Sequence, residues 1–161
     1  MTTAPWALGS VLAFLALVID QVSKGVVLAY ASALVRPIEV IPVINLVLVR
    51  NEGVSFGVLS EVPWWGLAAF SLGVIAALSV WMVRTPSRWI AVSLGLVIGG
   101  ATGNAFDRFR HGAVTDFIDI HIFDFQWPTF NLADAAIALG VGLLLLESVL
   151  AQDDRINAPS S

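Results

Sequence analysis

Long stretches of apolar residues without a charge dominate this chain. Residues 1–19 contain no charged side chain, and three later stretches are nearly as free of charge. A helix needs about 20 apolar residues to cross a hydrocarbon core of roughly 30 Å. In lipid such a stretch favours a helix, because every backbone polar group is bonded within the segment. The pattern therefore predicts four transmembrane helices, over about residues 7–30, 62–83, 89–106 and 128–150.

Two other interpretations of these stretches fit less well. The first stretch could be a cleaved secretory signal peptide, but it lacks a basic start and a convincing small-residue cleavage site, and it runs too long. All four could be core helices of a soluble protein, but too little polar chain remains to enclose them. We therefore expect one all-α membrane domain over residues 1–161, with a small extracytoplasmic β-region.

The segments between the predicted helices differ in character. Residues 39–50 are rich in β-branched side chains and include Pro42, so they predict one or two short strands at a sheet edge. The polar tail is predicted to be disordered. The connecting segments and tail fall at about residues 34–61, 107–127 and 152–161.

The short turn between the second and third predicted helices sets the orientation. Arg84 and Arg88 lie within this turn. Cytoplasmic loops carry an excess of Lys and Arg, so the turn is predicted to be cytoplasmic. With four spans, both termini are then cytoplasmic, and the two longer loops are extracytoplasmic.

Composition narrows the function classes further. Hydrophobic residues make up 58% of the chain and charged residues 12%, against about 25% charged in average soluble domains. The net charge of −4 offers no basic face to a nucleic acid. The absence of cysteine excludes thiol nucleophiles, disulfides and Cys-ligated metals. No metal or cofactor motif is present, and His111 and His121 are predicted to be solvated loop residues.

Asp20 and Lys24 lie four residues apart in the first predicted helix. This spacing places both on one helix face, with the acid first. Charges in a membrane are costly, so they usually pair with each other or serve function. The two interpretations are a neutralised structural pair and a proton relay, and we favour the pair.

The start of the fourth predicted helix holds an acid without an obvious partner. Asp134 is the only charge between residues 125 and 146. Such an acid is a functional candidate, although it could also simply cap the helix. Asp116 approaches from the same side in an apolar stretch. Two carboxylates that share one proton can orient and deprotonate a water as it attacks a carbonyl.

The end of the third predicted helix combines small and polar residues. Gly99 and Gly103 have the G-x-x-x-G spacing that lets membrane helices approach closely. Asn104 and Arg108 share one face at the outer end of this helix. Arg108 can bond phosphate or backbone carbonyls there, or serve only as an interfacial anchor.

At these residues the chain resembles the lipoprotein signal peptidases, also called the signal peptidase II family, over about residues 8–150. Five short segments in order carry the resemblance: DQVSK (20–24), NEGVSFG (51–57), GNAFDR (103–108), VTDFID (114–119) and FNLAD (130–134). Val54 and Thr115 depart from the commonest family residues, and neither is a functional side chain.

The resemblance implies a four-helix membrane aspartyl peptidase of the bacterial inner membrane. Its substrate would be a prolipoprotein that carries diacylglycerol on a cysteine, with cleavage just before that cysteine, and globomycin would inhibit it. A lid-like segment would lie within residues 35–62. The implied roles are catalysis for Asp116 and Asp134; substrate binding for Asn51, Asn104, Arg108 and Asn131; and structural support for Asp20, Lys24, Gly53 and Asp107.

Two other function classes compete with the peptidase. A small transporter or proton-conducting subunit would use Asp20, Lys24 and Asp134 as a relay, but it would need polar groups along whole helices, and the second predicted helix has no charge. A non-enzymatic scaffold would not need two acids, an arginine and three amides on one side. The peptidase is the preferred prediction.

Overall fold

The computed structural model describes residues 4–53, 63–123 and 125–156, with side chains to residue 152. Four of its helices are long and apolar enough to cross a membrane, which confirms the predicted architecture. Of residues 35–62, to which the resemblance assigned a lid-like segment, residues 54–62 lie outside the described part of the chain. The helices are α1 Pro5–Ala29, α2 Trp64–Arg84, α3 Arg88–His111 and α4 Leu132–Ile156.

Helix α3 continues beyond the predicted end at residue 106. It begins after Ser87, whose Oγ accepts a hydrogen bond from the Ile90 backbone N–H at 3.3 Å. It ends at Gly112, which adopts the left-handed conformation with φ 71°. A charge ends an apolar stretch without ending a helix, so Asp107 and Arg108 lie on the last turns of α3 and not in a loop.

Both ends of α4 also differ from the prediction. The helix begins at Leu132 because the preceding residue, Asn131, caps it and Phe130 pairs with a strand. It continues to Ile156, so the prediction of disorder from residue 152 is wrong for residues 152–156. Polar side chains leave the membrane but remain compatible with a helix. Residues 157–161 lie outside the described part of the chain.

Helix α3 lies at the centre and packs against α1, α2 and α4. A Cβ on Gly99 would collide with the backbone carbonyl of Ala13, and one on Gly103 would collide with the Asp20 carboxylate. Both collision partners lie on α1, so the predicted close packing at this G-x-x-x-G spacing is confirmed. The buried apolar core lies between α2 and α3, at Met82, Ala91, Leu94 and Ile98.

A short 3₁₀ turn, Ala33–Val35, precedes the strands β1 Ile38–Ile41, β2 Ile44–Asn51, β3 Val114–Ile122 and β4 Phe125–Gln126. They form a four-stranded antiparallel sheet in the order β1-β2-β3-β4. The prediction of strands in residues 39–50 is confirmed, but of these two strands only β1 lies at an edge, because β2 pairs with both β1 and β3. Strand β3 was not predicted, although its residues are largely β-branched or aromatic.

Strand β3 brings distant parts of the chain together. On one side Asn51 of β2 lies opposite Val114. On the other side Ile118 pairs with Phe130, just before α4. The residues around Asp116 therefore lie beside the end of β2 and the start of α4.

The close approach of α1 and α3 leads to a stability prediction. Gly99→Ala should lower the free energy of unfolding by about 1–3 kcal/mol, the usual cost of overpacking, because a backbone carbonyl of α1 cannot move aside easily. Thermal unfolding in detergent measures this effect. Gly142→Ala is the matched control, since no atom lies within 4 Å of its added methyl group, and Ala favours a helix over Gly. Equal midpoints for the two variants would contradict the packing argument.

Candidate active site

A cavity of about 110 Å³ lies where the ends of α3 and α4 meet the sheet. Both predicted catalytic aspartates contribute to its wall, together with three of the predicted binding residues and Gly53. The lining residues are Asn51, Gly53, Asn104, Arg108, Val114, Asp116 and Asp134. Residues from four separate segments of the chain thus converge on one small polar space.

Asp116 projects from β3 and is 2% exposed. Its carboxylate accepts a hydrogen bond from Asn51 Nδ2 at 2.9 Å on one oxygen. The other oxygen accepts a hydrogen bond from Asn131 Nδ2 at 2.6 Å. Two amide donors therefore fix the orientation of this carboxylate.

Asp134 lies in the first turn of α4, and it both caps the helix and lines the cavity. Its Oδ2 accepts a hydrogen bond from the Asn131 backbone N–H at 3.2 Å, and Asn131 Oδ1 accepts one from the Asp134 N–H at 3.0 Å. This reciprocal pair is a capping box. The other carboxylate oxygen of Asp134, Oδ1, accepts a hydrogen bond from Asn104 Nδ2 at 2.8 Å.

Asn131 lies outside the lining of the cavity. It is fully buried. Besides the Asp116 bond, its Nδ2 donates to Asn104 Oδ1 at 3.2 Å, and its side-chain Oδ1 accepts from the Asp134 backbone N–H. Asn131 thus connects both aspartates from a buried position. This geometry favours a role in positioning the two aspartates, whereas the resemblance implied a contact with substrate.

Arg108 reaches from α3 towards the segment after β2. Its Nη2 donates to the Gly53 carbonyl at 3.3 Å, and the Gly53 N–H donates to Asn51 Oδ1 at 3.2 Å. Among the residues that the structure describes, the buried Arg108 Nε has no hydrogen-bond partner. A buried donor without a partner costs about 1–3 kcal/mol, so this edge of the cavity favours a ligand with an acceptor.

Asp20 and Lys24 form the predicted ion pair, with Lys24 Nζ at 2.9 Å from Asp20 Oδ2. Lys24 also contacts Asp107 Oδ2 at 3.1 Å and donates to Asn104 Oδ1 at 2.9 Å. All three charged residues are buried. Paired charges with complete hydrogen bonding fit the structural interpretation better than a proton relay.

Sequence reasoning missed two neighbours of this site. Gln21 Nε2 donates to Asp107 Oδ1 at 3.2 Å and to Asp20 Oδ2 at 3.1 Å. Its signal was a polar amide inside an apolar stretch. Val114 lines the cavity, but nothing in an ordinary apolar residue could have pointed to it.

The two histidines do not lie in a loop, although His111 is exposed as predicted. His111 is the last residue of α3. His121 is partly buried on β3, where its Nδ1 lies 3.4 Å from Asn45 Nδ2. The prediction was wrong because it ended α3 too early and did not include β3.

Burial raises the pKa of Asp116 to about 6. The hydrogen bond from Asn51 opposes this shift, because it favours the ionised form, whereas the nearby Asp134 carboxylate raises the pKa further. Asp116 therefore exchanges its proton near neutral pH, the range in which a carboxyl can serve as a general acid or base.

Comparison with known proteins places the chain in a family. The family description of signal peptidase (SPase) II matches residues 12–150. The lipoprotein signal peptidase of Beijerinckia indica is 41% identical over 162 residues, covering 98% of this chain and 97% of that protein. That of Methylorubrum extorquens is 45% identical over 154 residues, covering 92% and 88%.

Solved structures agree in fold. A bacterial membrane enzyme structure obtained by the in meso method at 2.3 Å resolution superposes with a TM-score of 0.80 at 29% identity, covering 95% of this chain and 92% of that one. A second such structure, at 1.9 Å resolution, gives a TM-score of 0.75 at 30% identity, covering 86% and 90%.

A four-helix bundle with two aspartates in one cavity at its end, together with these relatives, defines a multi-pass peptidase of bacterial membranes. The chain belongs to the signal peptidase II family. Its function is that of a lipoprotein signal peptidase, which confirms the family predicted from the five sequence segments.

The surroundings of Asp116 lead to a prediction about its titration. Asn51→Leu removes the donor that favours the ionised carboxylate, so the pKa of Asp116 should rise above about 6. Infrared spectroscopy of the carboxyl band against pH measures this shift, with Asp116→Asn to assign the band. Asn45→Leu, on the same strand but bonded to Asp119, is the control and should leave the midpoint unchanged. A lower or constant midpoint in Asn51→Leu would refute the proposed effect.

Proposed function

We propose that Asp116 and Asp134 together activate a water molecule that hydrolyses the peptide bond just before the lipidated cysteine of a prolipoprotein. The observation that carries this proposal is that both carboxylates line one small cavity, each held by amide donors. This arrangement supports the aspartyl class of peptidase for the chain.

The chemistry needs one proton on the pair of aspartates. The ionised carboxylate takes a proton from the water molecule while the oxygen of that water attacks the scissile carbonyl carbon. The protonated carboxyl gives its proton to the carbonyl oxygen, which leaves a tetrahedral diol. The C–N bond then breaks as the leaving nitrogen takes up the proton that the other carboxyl received from water, and a hydroxyl of the diol returns a proton to the carboxylate that had donated one. The raised pKa of Asp116, about 6, supports a shared proton, because two neighbouring carboxylates do not ionise independently.

An apolar hollow of about 500 Å³ beside the site supports the proposal of a lipid-bearing substrate. The hollow begins at Asp134 and is walled by the β3–β4 hairpin and the start of α4. Its other lining residues are Ile120, Ile122, Phe125, Trp127, Pro128, Thr129, Phe130, Ala135 and Ala138. Apolar walls next to a catalytic carboxylate suit an acyl chain that holds the scissile bond at the depth of the aspartates.

The edge of the cavity near Gly53 suits the substrate backbone. Arg108 Nε lacks a partner among the described residues, and Asn51 and Asn104 present amides to the same space. A peptide in extended conformation supplies carbonyl acceptors to such donors. We therefore assign substrate binding to Asn51, Asn104 and Arg108, and positioning of the aspartates to Asn131.

The proposed location is the bacterial inner membrane, with the active site on the extracytoplasmic side. The arginine-bearing turn between α2 and α3 lies at the opposite end of α3 from Asn104 and Arg108. The positive-inside rule then places both termini in the cytoplasm. Globomycin is expected to inhibit the enzyme, as the family resemblance implies.

The transporter alternative receives no support from the distribution of polar groups. Among the residues that the structure describes, the buried polar side chains other than Ser93 lie near the active-site end. Ser93 Oγ donates to the Trp89 carbonyl of its own helix. A conducting path would need polar groups along the full length of the helices.

Our first prediction of function concerns the two aspartates. Asp116→Asn and Asp134→Asn should each abolish cleavage of a lipidated prolipoprotein, because an amide cannot take up the proton that water releases. The measurement is the appearance of the shortened product with purified, monodisperse enzyme.

Asp119→Asn is the matched control for these variants. Asp119 lies on the same strand, and its carboxylate is bonded to Asn45 and Gln126 instead of lining the cavity. It should keep activity, as should wild-type enzyme treated with chelators or serine reagents. Appreciable turnover by either catalytic variant would disprove the two-aspartate mechanism.

A second prediction concerns recognition of the lipidated substrate. Arg108→Lys keeps the charge but loses the planar fork of donors, so cleavage of the lipidated precursor should fall markedly. The same precursor without its diacylglyceryl group should be cut poorly by the wild type, because nothing holds its scissile bond at the correct depth.

The measurement is the cleavage rate of the lipidated and the unlipidated precursor, with the wild type and with Arg108→Lys in the same detergent. Equal wild-type rates on the two precursors would argue for a membrane aspartyl protease without lipid-dependent positioning. Full activity of Arg108→Lys would mean that Arg108 serves only as an interfacial anchor and does not bind substrate.

A further inference from the structure

Beneath the active site, Lys24 lies between two carboxylates from different helices. Its Nζ is 2.9 Å from Asp20 Oδ2 on α1 and 3.1 Å from Asp107 Oδ2 on α3. Gly103 leaves the space that the Asp20 carboxylate fills. All three charged side chains are buried, and Lys24 is only 2% exposed.

Each of these carboxylates also accepts a hydrogen bond from one particular backbone N–H. Asp20 Oδ1 accepts from the Ala133 N–H at 3.0 Å. Asp107 Oδ2 accepts from the Thr115 N–H at 3.0 Å. Ala133 directly precedes Asp134, and Thr115 directly precedes Asp116. The two carboxylates therefore hold the backbone immediately before each catalytic residue.

These contacts are stronger constraints than ordinary packing. A hydrogen bond to a charged acceptor is roughly twice as strong as one between neutral groups. The Ala133 N–H is one of the unpaired donors at the start of α4, and here a side chain from another helix satisfies it. Since the two acceptors share Lys24, they fix the start of α4 and strand β3 relative to each other.

We propose that Asp20, Lys24 and Asp107 form an ionic spacer that sets the separation of the Asp116 and Asp134 carboxylates. The three are positioning residues, and this role rests on the proposed two-aspartate mechanism. The lengths of these side chains matter for the reaction, and their charges matter for stability. A purely structural ion pair would require the charges but would tolerate a small change in the length of one side chain.

Two substitutions at Asp107 separate length from charge. Asp107→Glu keeps the charge for Lys24 but adds one methylene between α3 and Thr115. Asp107→Asn keeps the length and an oxygen that accepts from the Thr115 N–H but removes the charge. The spacer predicts that Asp107→Glu loses about 10²-fold in kcat, as expected for a misplacement of about 1 Å, with little change in KM. It predicts that folded Asp107→Asn keeps a higher kcat than Asp107→Glu, although it unfolds more easily.

The dependence of activity on pH gives a second measurement, because a loss of stability alone does not change the width of this profile. Two coupled carboxylates give a bell-shaped profile whose width depends on the interaction between them. A changed separation changes that width in Asp107→Glu. Leu94→Ala, a substitution in the buried core of α3, is the control: it should lower stability and leave the width of the profile unchanged.

The outcomes distinguish this inference from the proposed function. If folded Asp107→Glu has wild-type kcat and profile width, or is more active than Asp107→Asn, the spacer is wrong while the peptidase mechanism stands. If Asp107→Glu does not fold, a folded Asp107→Asn decides alone: most of the wild-type kcat with an unchanged width supports the spacer, and a large loss of kcat contradicts it. Turnover by Asp116→Asn or Asp134→Asn would instead overturn the mechanism and the spacer together.

Discussion

Hydrocarbon offers no hydrogen bonds, so every polar group buried at the end of this helix bundle needs its partner within the protein. Lys24 meets this requirement for Asp20 and Asp107 at once. The close contact of α1 with α3 at Gly103 brings the three charges together. The remaining polar residues of the site are arranged around this neutralised centre.

From that centre a chain of amides leads to the carboxylates of Asp116 and Asp134. Asn104 accepts from Lys24 and donates to Asp134. Asn131 donates to Asp116 and forms the capping box with Asp134. Amides suit this task because each carries both donors and an acceptor, so they connect charged groups without adding charge. The two aspartates are thus held beside one cavity.

The sheet positions residues from different parts of the chain around the cavity. Its strands bring Asn51 and Asp116 beside the start of α4. The β3–β4 hairpin extends the same surface into an apolar wall next to Asp134. A polar cavity and an apolar hollow therefore share the Asp134 carboxylate, which suits the proposed substrate with a peptide part and a lipid part.

The sequence alone determined the four membrane helices, because the lack of charge over about 20 residues is a local property that packing does not alter. It also pointed to Asp20, Lys24, Asp116 and Asp134, since charges in apolar surroundings need a partner or a function. Only the tertiary structure decided that α3 continues through Arg108, that β3 carries Asp116, and that Asn131 is buried outside the lining of the cavity. It alone also joined Asp20 to Ala133 and Asp107 to Thr115. These contacts connect residues from different helices and strands, and no local pattern of residues specifies which donor meets which acceptor once the elements pack.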